Sequence, residues 1–447
     1  MASILWLTVA LALIFGAGIA VQTWLLRRTE TYWFEYWALA FLLGTAAMSA
    51  LWIVLIPVYV LIHPMPLLSI AAVLLIAATR SRLRIRMPAR VRSWQWIDLL
   101  LAVLLGVEMA LVLAASMHSP LGWDGLFNFE MKARLMYENS PAGRLPLEYF
   151  SDASRAWSHP EYPLMIPFAE FWIYSWLGRV DQSAVKILFP LFYFSAVALL
   201  AGAVRRFSNP RAALLTALAL GVLPPLTYLP GAASGYADVP LATSLVGAVS
   251  FAYLGLMSDD TDALYLSGVL GAVASWTKLE GLMLACTVGL LTLAIGLALQ
   301  RRRAVVVFAI PLVVMTPWLI LQRLYGMPSS DFAVPANGIF STMHRVPEIA
   351  GVVGGELLRP GHWGLLWPCW LLAIGLQLRF DRRTMCEWLP VAAVAMPLAF
   401  YVVVFTFSTW PDVNEHVRFA MPRLLVPLAP IALMSTVLRV HAAHHHA

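Results

Sequence analysis

Two stretches, GWDGLFNFEMKAR at Gly122–Arg134 and SHPEYPLMIPFAEFWIYSWLG at Ser158–Gly178, decide how this chain is read. Both lie in Met117–Gly178, the one long polar interval of a sequence that is otherwise almost continuous apolar run. Acidic, basic, aromatic and proline residues crowd there, directly after a hydrophobic segment that carries almost no charge. Pro163–Leu177 is apolar enough to resemble a membrane span, but at about fifteen residues it is shorter than the roughly 20 a helix needs to cross the hydrocarbon layer. It reads as a helix lying in the outer interface, where tryptophan and tyrosine are at home.

Working outward, 61% of the 447 residues are hydrophobic and 12% are charged, against roughly 25% charged in soluble domains. The chain is therefore all-α and polytopic. Its net charge of +6 comes from arginines in short clusters between apolar runs, which is how orientation signals are distributed. Nucleic-acid binding is set aside. Three widely spaced cysteines, Cys286, Cys369 and Cys386, fit neither a disulfide framework nor a zinc site.

Span length and arginine placement predict about thirteen helices, near 3–26, 37–62, 66–80, 96–117, 182–204, 212–230, 238–257, 263–278, 281–300, 304–325, 361–378, 388–409 and 423–440. Met1–Leu26 lacks a basic leader and reads as a retained span rather than a cleaved signal. Inside clusters are Arg27/Arg28, Arg80–Arg92, Arg205/Arg206/Arg211, Arg301–Arg303 and Arg379/Arg382/Arg383. The amino terminus is then outside and the carboxyl terminus inside. Three parts follow: residues 1–95 as amino-terminal helices, 96–325 as a helical module including an outer loop at 118–181, and 326–447 as carboxyl-terminal helices and outer loops.

The outer pieces hold the residues suited to chemistry. Asp124 sits between Gly122 and Gly125 just beyond the fourth span, a carboxylate pinned on a tight turn at the interface, placed for general-base work; it also reads as a turn former. Lys132 is notable because lysine occurs elsewhere only at 186 and 278; its neighbours Glu130 and Arg134 read as a solvated face. His159, Glu161 and Tyr162 form a polar entrance able to bind a phosphate or a sugar hydroxyl. Asp238, Lys278 and Glu280 stand at outer span ends, where ionisable groups are paired or functional, and Glu108 lies within a span. His416 and Arg423 surround the start of the final span, and a guanidinium there can hold a phosphate with two parallel hydrogen bonds. Arg418 reads as a snorkelling anchor.

In order, WDGLFNFEMKAR, HPEYPLMIP, GYADVPLA, TKLEG and NEHVRFAMPRLLVPLAP resemble the first outer loop, interfacial segment, second outer aspartate, TKxEG junction and carboxyl-terminal ending of the GT-C superfamily. These are integral-membrane glycosyltransferases dependent on polyprenyl-phosphate-linked sugars, among them protein O-mannosyltransferases and aminoarabinose transferases. The resemblance covers roughly Asp98–Arg303 and, more loosely, the end of the chain. It implies a GT-C-like bundle in a bacterial inner membrane with a periplasmic active site. Asp124 would be the catalytic aspartate; Lys132, His159, Glu161, Tyr162, Asp238, Lys278, Glu280, His416 and Arg423 would bind substrate. The reaction would invert the anomeric centre, moving a hexose or pentose from a polyprenyl phosphate to a hydroxyl of a lipid, glycan or protein. Some members use a divalent cation such as magnesium or manganese and others none, so a metal is left open. Two other classes remain: a transporter or flippase of lipid-linked glycans, which would carry inverted repeats and broken helices, and a non-catalytic envelope scaffold.

Overall fold

The computed structural model describes residues 2–55, 85–86, 95–139, 147–228, 230–328, 332, 338–379 and 384–446. The helices that position the site are α1 (Ala2–Leu25), α2 (Trp33–Leu55), α3 (Trp96–His118), α4 (Met131–Asn139), α5 (Met165–Leu177), α6 (Leu188–Phe207), α7 (Asp238–Ser258), α8 (Thr261–Thr277), α9 (Leu279–Ala298), α10 (Val305–Leu324), α11 (Leu389–Phe405), α12 (Val413–Leu425) and α13 (Ala429–His446).

Eight described helices are long and apolar enough to cross a membrane, or nine if the bent pair Val413–Leu425 and Ala429–His441 is one span. Thirteen were expected. Helix α8 has 17 residues, Pro210–Gly221 has 12 and Leu366–Arg379 has 14, each at or below the lower limit for crossing as straight helix. The expected span 66–80, the far end of 37–62, most of Arg80–Arg92 and Arg382/Arg383 lie outside the described residues. The expected span 423–440 is not one helix: the chain bends by 57° between α12 and α13. Pro427 and Pro430 explain the break, since each lacks the N–H of the helical ladder and its ring crowds the preceding turn.

Helix α7 is the core, with every residue of its apolar window buried. Ala242, Gly247, Ala248 and Ala252 let neighbouring backbones approach closely, and α6, α8 and α9 pack on it. Its hydroxyls are satisfied locally: Thr243 Oγ1 donates to Phe192 O at 2.8 Å, and Ser267 Oγ on α8 donates to Ala248 O at 2.7 Å. Helix α3, by contrast, has only 11% of its window buried. Its Glu108 is not left bare, because the Tyr193 hydroxyl donates to it at 2.6 Å.

The described arginine clusters converge on one end of the bundle. Asp262 accepts from the backbone N–H groups of Arg27 and Arg28 at 3.0 and 2.7 Å; Arg206 meets Glu35 at 2.7 Å, Arg211 meets Asp98 at 2.7 Å and Arg301 meets Asp259 at 3.4 Å. Helix α8 begins at this end and finishes at Thr277, beside Lys278. The second set of charged residues therefore sits at the opposite end, as the arginine pattern requires.

Within the expected Pro163–Leu177, Met165–Leu177 forms a short helix, α5. Its aromatic residues are covered by protein rather than lipid: Trp172 Nε1 donates to Ala10 O at 3.0 Å, and Trp176 lies 5.9 Å from Trp6 between ring centroids. Helices α1, α2 and α4 enclose it. None of the three cysteines is in a disulfide.

Candidate functional site

Two glycines dock the first outer loop. A Cβ at Gly122 would lie 2.6 Å from the Tyr236 ring, and one at Gly125 would lie 2.5 Å from Ser234 O; no side chain fits at either position. Gly122 N–H donates to Ser234 O at 2.8 Å. The spacing GWDG thus presses Asp124 against the GYAD segment, and a π-helical turn, Gly125–Glu130, follows it, a geometry common beside functional sites. Asn128, one turn beyond Asp124, enters the same cavity.

Asp238 is the first residue of α7. Lys278 breaks the chain between α8 and α9 with extended backbone, φ −157° and ψ 153°, so its side chain reaches back instead of continuing a helix. Its Nζ lies 3.1 Å from Asp238 Oδ1 and 3.1 Å from Glu280 Oε1. Arg423, in the last turn of α12, donates from Nη2 to Asp124 Oδ2. Its Nε lies 3.6 Å from Asp238 Oδ2, and its guanidinium sits 4.9 Å over the Tyr236 ring. Three carboxylates and two cations therefore interlock, and Asp124, Asp238, Lys278 and Arg423 are all largely withdrawn from solvent. Among the described residues, Asp238 Oδ2 and Arg423 Nε have no hydrogen-bond partner.

The facing wall is the strap SHPEY. His159 holds a left-handed conformation at φ 47°, rare for a non-glycine residue. Its ring stacks on Tyr162 at 4.5 Å, and its Nδ1 lies 3.1 Å from Glu161 Oε1. The Glu161 carbonyl accepts from Trp318 Nε1 at 3.0 Å and Gln322 Nε2 at 2.5 Å. Lys132, expected to touch substrate, is 1% exposed and donates from Nζ to His159 O at 2.5 Å. Burial lowers its ammonium to about 7, against the opposing pull of Glu161 and Asp124. It supports the strap from behind. Burial likewise raises the Tyr162 phenol.

His416 completes the far rim, stacked on Trp410 at 4.5 Å with Nδ1 2.7 Å from Ser408 Oγ. Between these walls lies a cavity of about 460 Å³. Asp124, His159, Tyr162, Lys278, Glu280, His416 and Arg423 line it. Asp238, Glu161 and Lys132 stand behind those residues as their partners. A second sector of the lining is apolar, with Met283 from α9, Phe400 and Val404 from α11, and Leu424 from α12. Trp157 and Tyr401 also line the cavity and were not singled out from the sequence. Tyr401 left one signal, a hydroxyl inside an otherwise apolar span; Trp157 left none.

A divalent ion needs several oxygens free to converge; among the described residues no three His, Cys, Asp or Glu side chains group in that way, and the cavity carboxylates face cations instead.

No family model and no curated protein matches this chain. Solved structures do. ArnT from Cupriavidus metallidurans in the apo state aligns at a TM-score of 0.52 and 16% identity, over 77% of this chain and 60% of that one. The structure of that protein bound to undecaprenyl phosphate aligns at 0.48 and 18%, over 75% and 60%. The chain spans about 60% of the length of the structures it matches. The alignment with the apo structure shows a shared fold, the polytopic helical bundle that the order of motifs leads one to expect.

Proposed function

We propose that this chain is an inverting GT-C glycosyltransferase, moving a sugar from a polyprenyl phosphate to a hydroxyl acceptor at the outer, periplasmic face of a bacterial inner membrane. One observation carries the reading: a single cavity has two cations, Lys278 and Arg423, and two carboxylates, Asp124 and Glu280, on its floor, and apolar helix faces from α9, α11 and α12 along one side. That is the complement of an amphiphile with a phosphate at its head. The arginine clusters at the other end of the bundle support the outer location.

The chemistry follows from the placement. Asp124 takes the proton of the acceptor hydroxyl as its oxygen attacks the anomeric carbon. The bond from that carbon to the phosphate oxygen breaks, and polyprenyl phosphate departs with the electron pair. Arg423 and Lys278 stabilise the charge that grows on it, a preorganised electrostatic role. Direct displacement by one base, with no covalent sugar intermediate, gives inversion.

Asp124→Asn, purified and folded, is expected to lose transfer from a radiolabelled polyprenyl-phosphate sugar by about 100-fold or more. Full transfer by that variant eliminates the assignment.

The bent pair α12 and α13 is the one observation that favours a transporter of lipid-linked glycans, since broken helices mark such proteins. Against it, the cavity charges gather at one end of the bundle and not at its midplane. Turnover by purified protein in detergent, where there is nothing to transport across, separates the two readings.

A further inference from the structure

The charged groups of the floor pair with one another, although Asp238 Oδ2, Glu280 Oε2 and Arg423 Nε make no hydrogen bond among the described residues. Lys278 is shared between Asp238 and Glu280 at 3.1 Å each, so its charge is already more than matched. Arg423 bonds Asp124 through one guanidinium nitrogen, while its Nε lies 3.6 Å from Asp238 and makes no hydrogen bond among the described residues. An oxygen that holds a guanidinium donor is not available to take a proton from an incoming hydroxyl. As it stands, Oδ2 of the base is covered.

From this pairing we infer that Arg423 is an exchangeable cover on Asp124, and that the phosphate of the donor removes it by taking the guanidinium for itself. This rests on the glycosyltransferase reading above. Arg423 suits the exchange better than Lys278 for two reasons. A guanidinium offers five donors in a plane and pairs bidentately with phosphate, whereas only one is committed to Asp124. Its side chain also faces the cavity at 17% exposure, against 3% for Lys278. The consequence is an obligatory order: donor first, acceptor second. A hydroxyl arriving before the donor meets a carboxylate whose Oδ2 is already engaged by Arg423.

The inference makes a prediction that runs against the usual effect of removing a site residue. Asp124 competes with phosphate for Arg423, so Asp124→Asn binds undecaprenyl phosphate about tenfold more tightly than the unaltered protein while transferring nothing. Arg423→Gln binds it at least tenfold more weakly. Binding is measured on the full chain in detergent with undecaprenyl phosphate as the probe, Asp124→Ala serving as second variant and thermal midpoint as the check on folding. If Arg423→Gln weakens binding but Asp124→Asn and Asp124→Ala leave it unchanged or weaker, the exchange is wrong and the phosphate site stands. If Arg423→Gln binds as the unaltered protein does, or the unaltered protein does not bind the probe, the phosphate site itself is wrong. Loss of folded protein in both Asp124 variants would show a structural bond in place of an exchangeable one, and would equally overturn the proposal.

Discussion

The two ends of this bundle use the same residue types under different solvation, and they behave differently. At the arginine end, Arg211 pairs with Asp98 at 2.7 Å with 43% and 19% of the side chains exposed, and Asp262 caps the chain at Arg27 and Arg28. Water finishes the solvation of that pair, while Arg206 and Glu35 at the same end are 10% and 1% exposed. At the cavity end, Lys278 and Asp238 are 3% and 1% exposed, each of these two charges is shared between two partners, and several polar atoms, Asp238 Oδ2, Glu280 Oε2 and Arg423 Nε among them, are left without a hydrogen bond among the described residues. A charge pattern in the sequence shows where ionisable groups are; only burial separates an orientation signal from a site.

The largest test of that difference is Asp238→Ala. It strips a buried partner from both Lys278 and Arg423 at once, and breaking a buried pair typically costs about 3–5 kcal/mol. The thermal midpoint in detergent should fall by many degrees; a drop no larger than for a surface change would mean that the cavity end is as well watered as the other.

A second test uses a carboxyl with no cation at all. Glu170 on α5 is 0% exposed, and neither of its carboxyl oxygens has a hydrogen-bond partner among the described residues. Burial, reinforced by Glu130, holds it well above the ordinary 4.5. A raised folded-state value means that the group weakens the fold once the unfolded chain ionises, above about 4.5, and adds no such penalty below it. Glu170→Met should therefore stabilise by about 1–3 kcal/mol at neutral pH, with a smaller gain near pH 4. Equal midpoint shifts at the two pH values would show that Glu170 is solvated or paired.

The smallest effect is expected at the arginine end: Arg211→Ala should leave the midpoint unchanged within error. A substantial loss there would erase the contrast between the ends.

Much of the site was legible because short motifs carry their geometry with them. Gly122 and Gly125 bracket Asp124 where only glycine fits against Ser234 and Tyr236, and the TKLEG junction turns Lys278 back toward Asp238. What stayed hidden depends on contacts distant in sequence. The role of Lys132 follows from the left-handed turn at His159, 27 residues on, and no local pattern announces that turn. Eight or nine described helices meet the length and composition of a span where thirteen were expected, because apolar length alone does not distinguish a crossing helix from a short packed one such as Pro210–Gly221, and the prolines at 427 and 430 stand at a break within one expected span.

The wholly enclosed α7 carries a last consequence. Bilayers differ in thickness, and proteins accommodate the mismatch by tilting or shifting the helices that touch lipid. Here that adjustment falls on outlying elements such as α3, while the rod that bears Asp238 touches no acyl chain along its apolar window. The floor of the cavity at Asp238 is thereby mounted on a helix that a change of membrane composition does not grip directly.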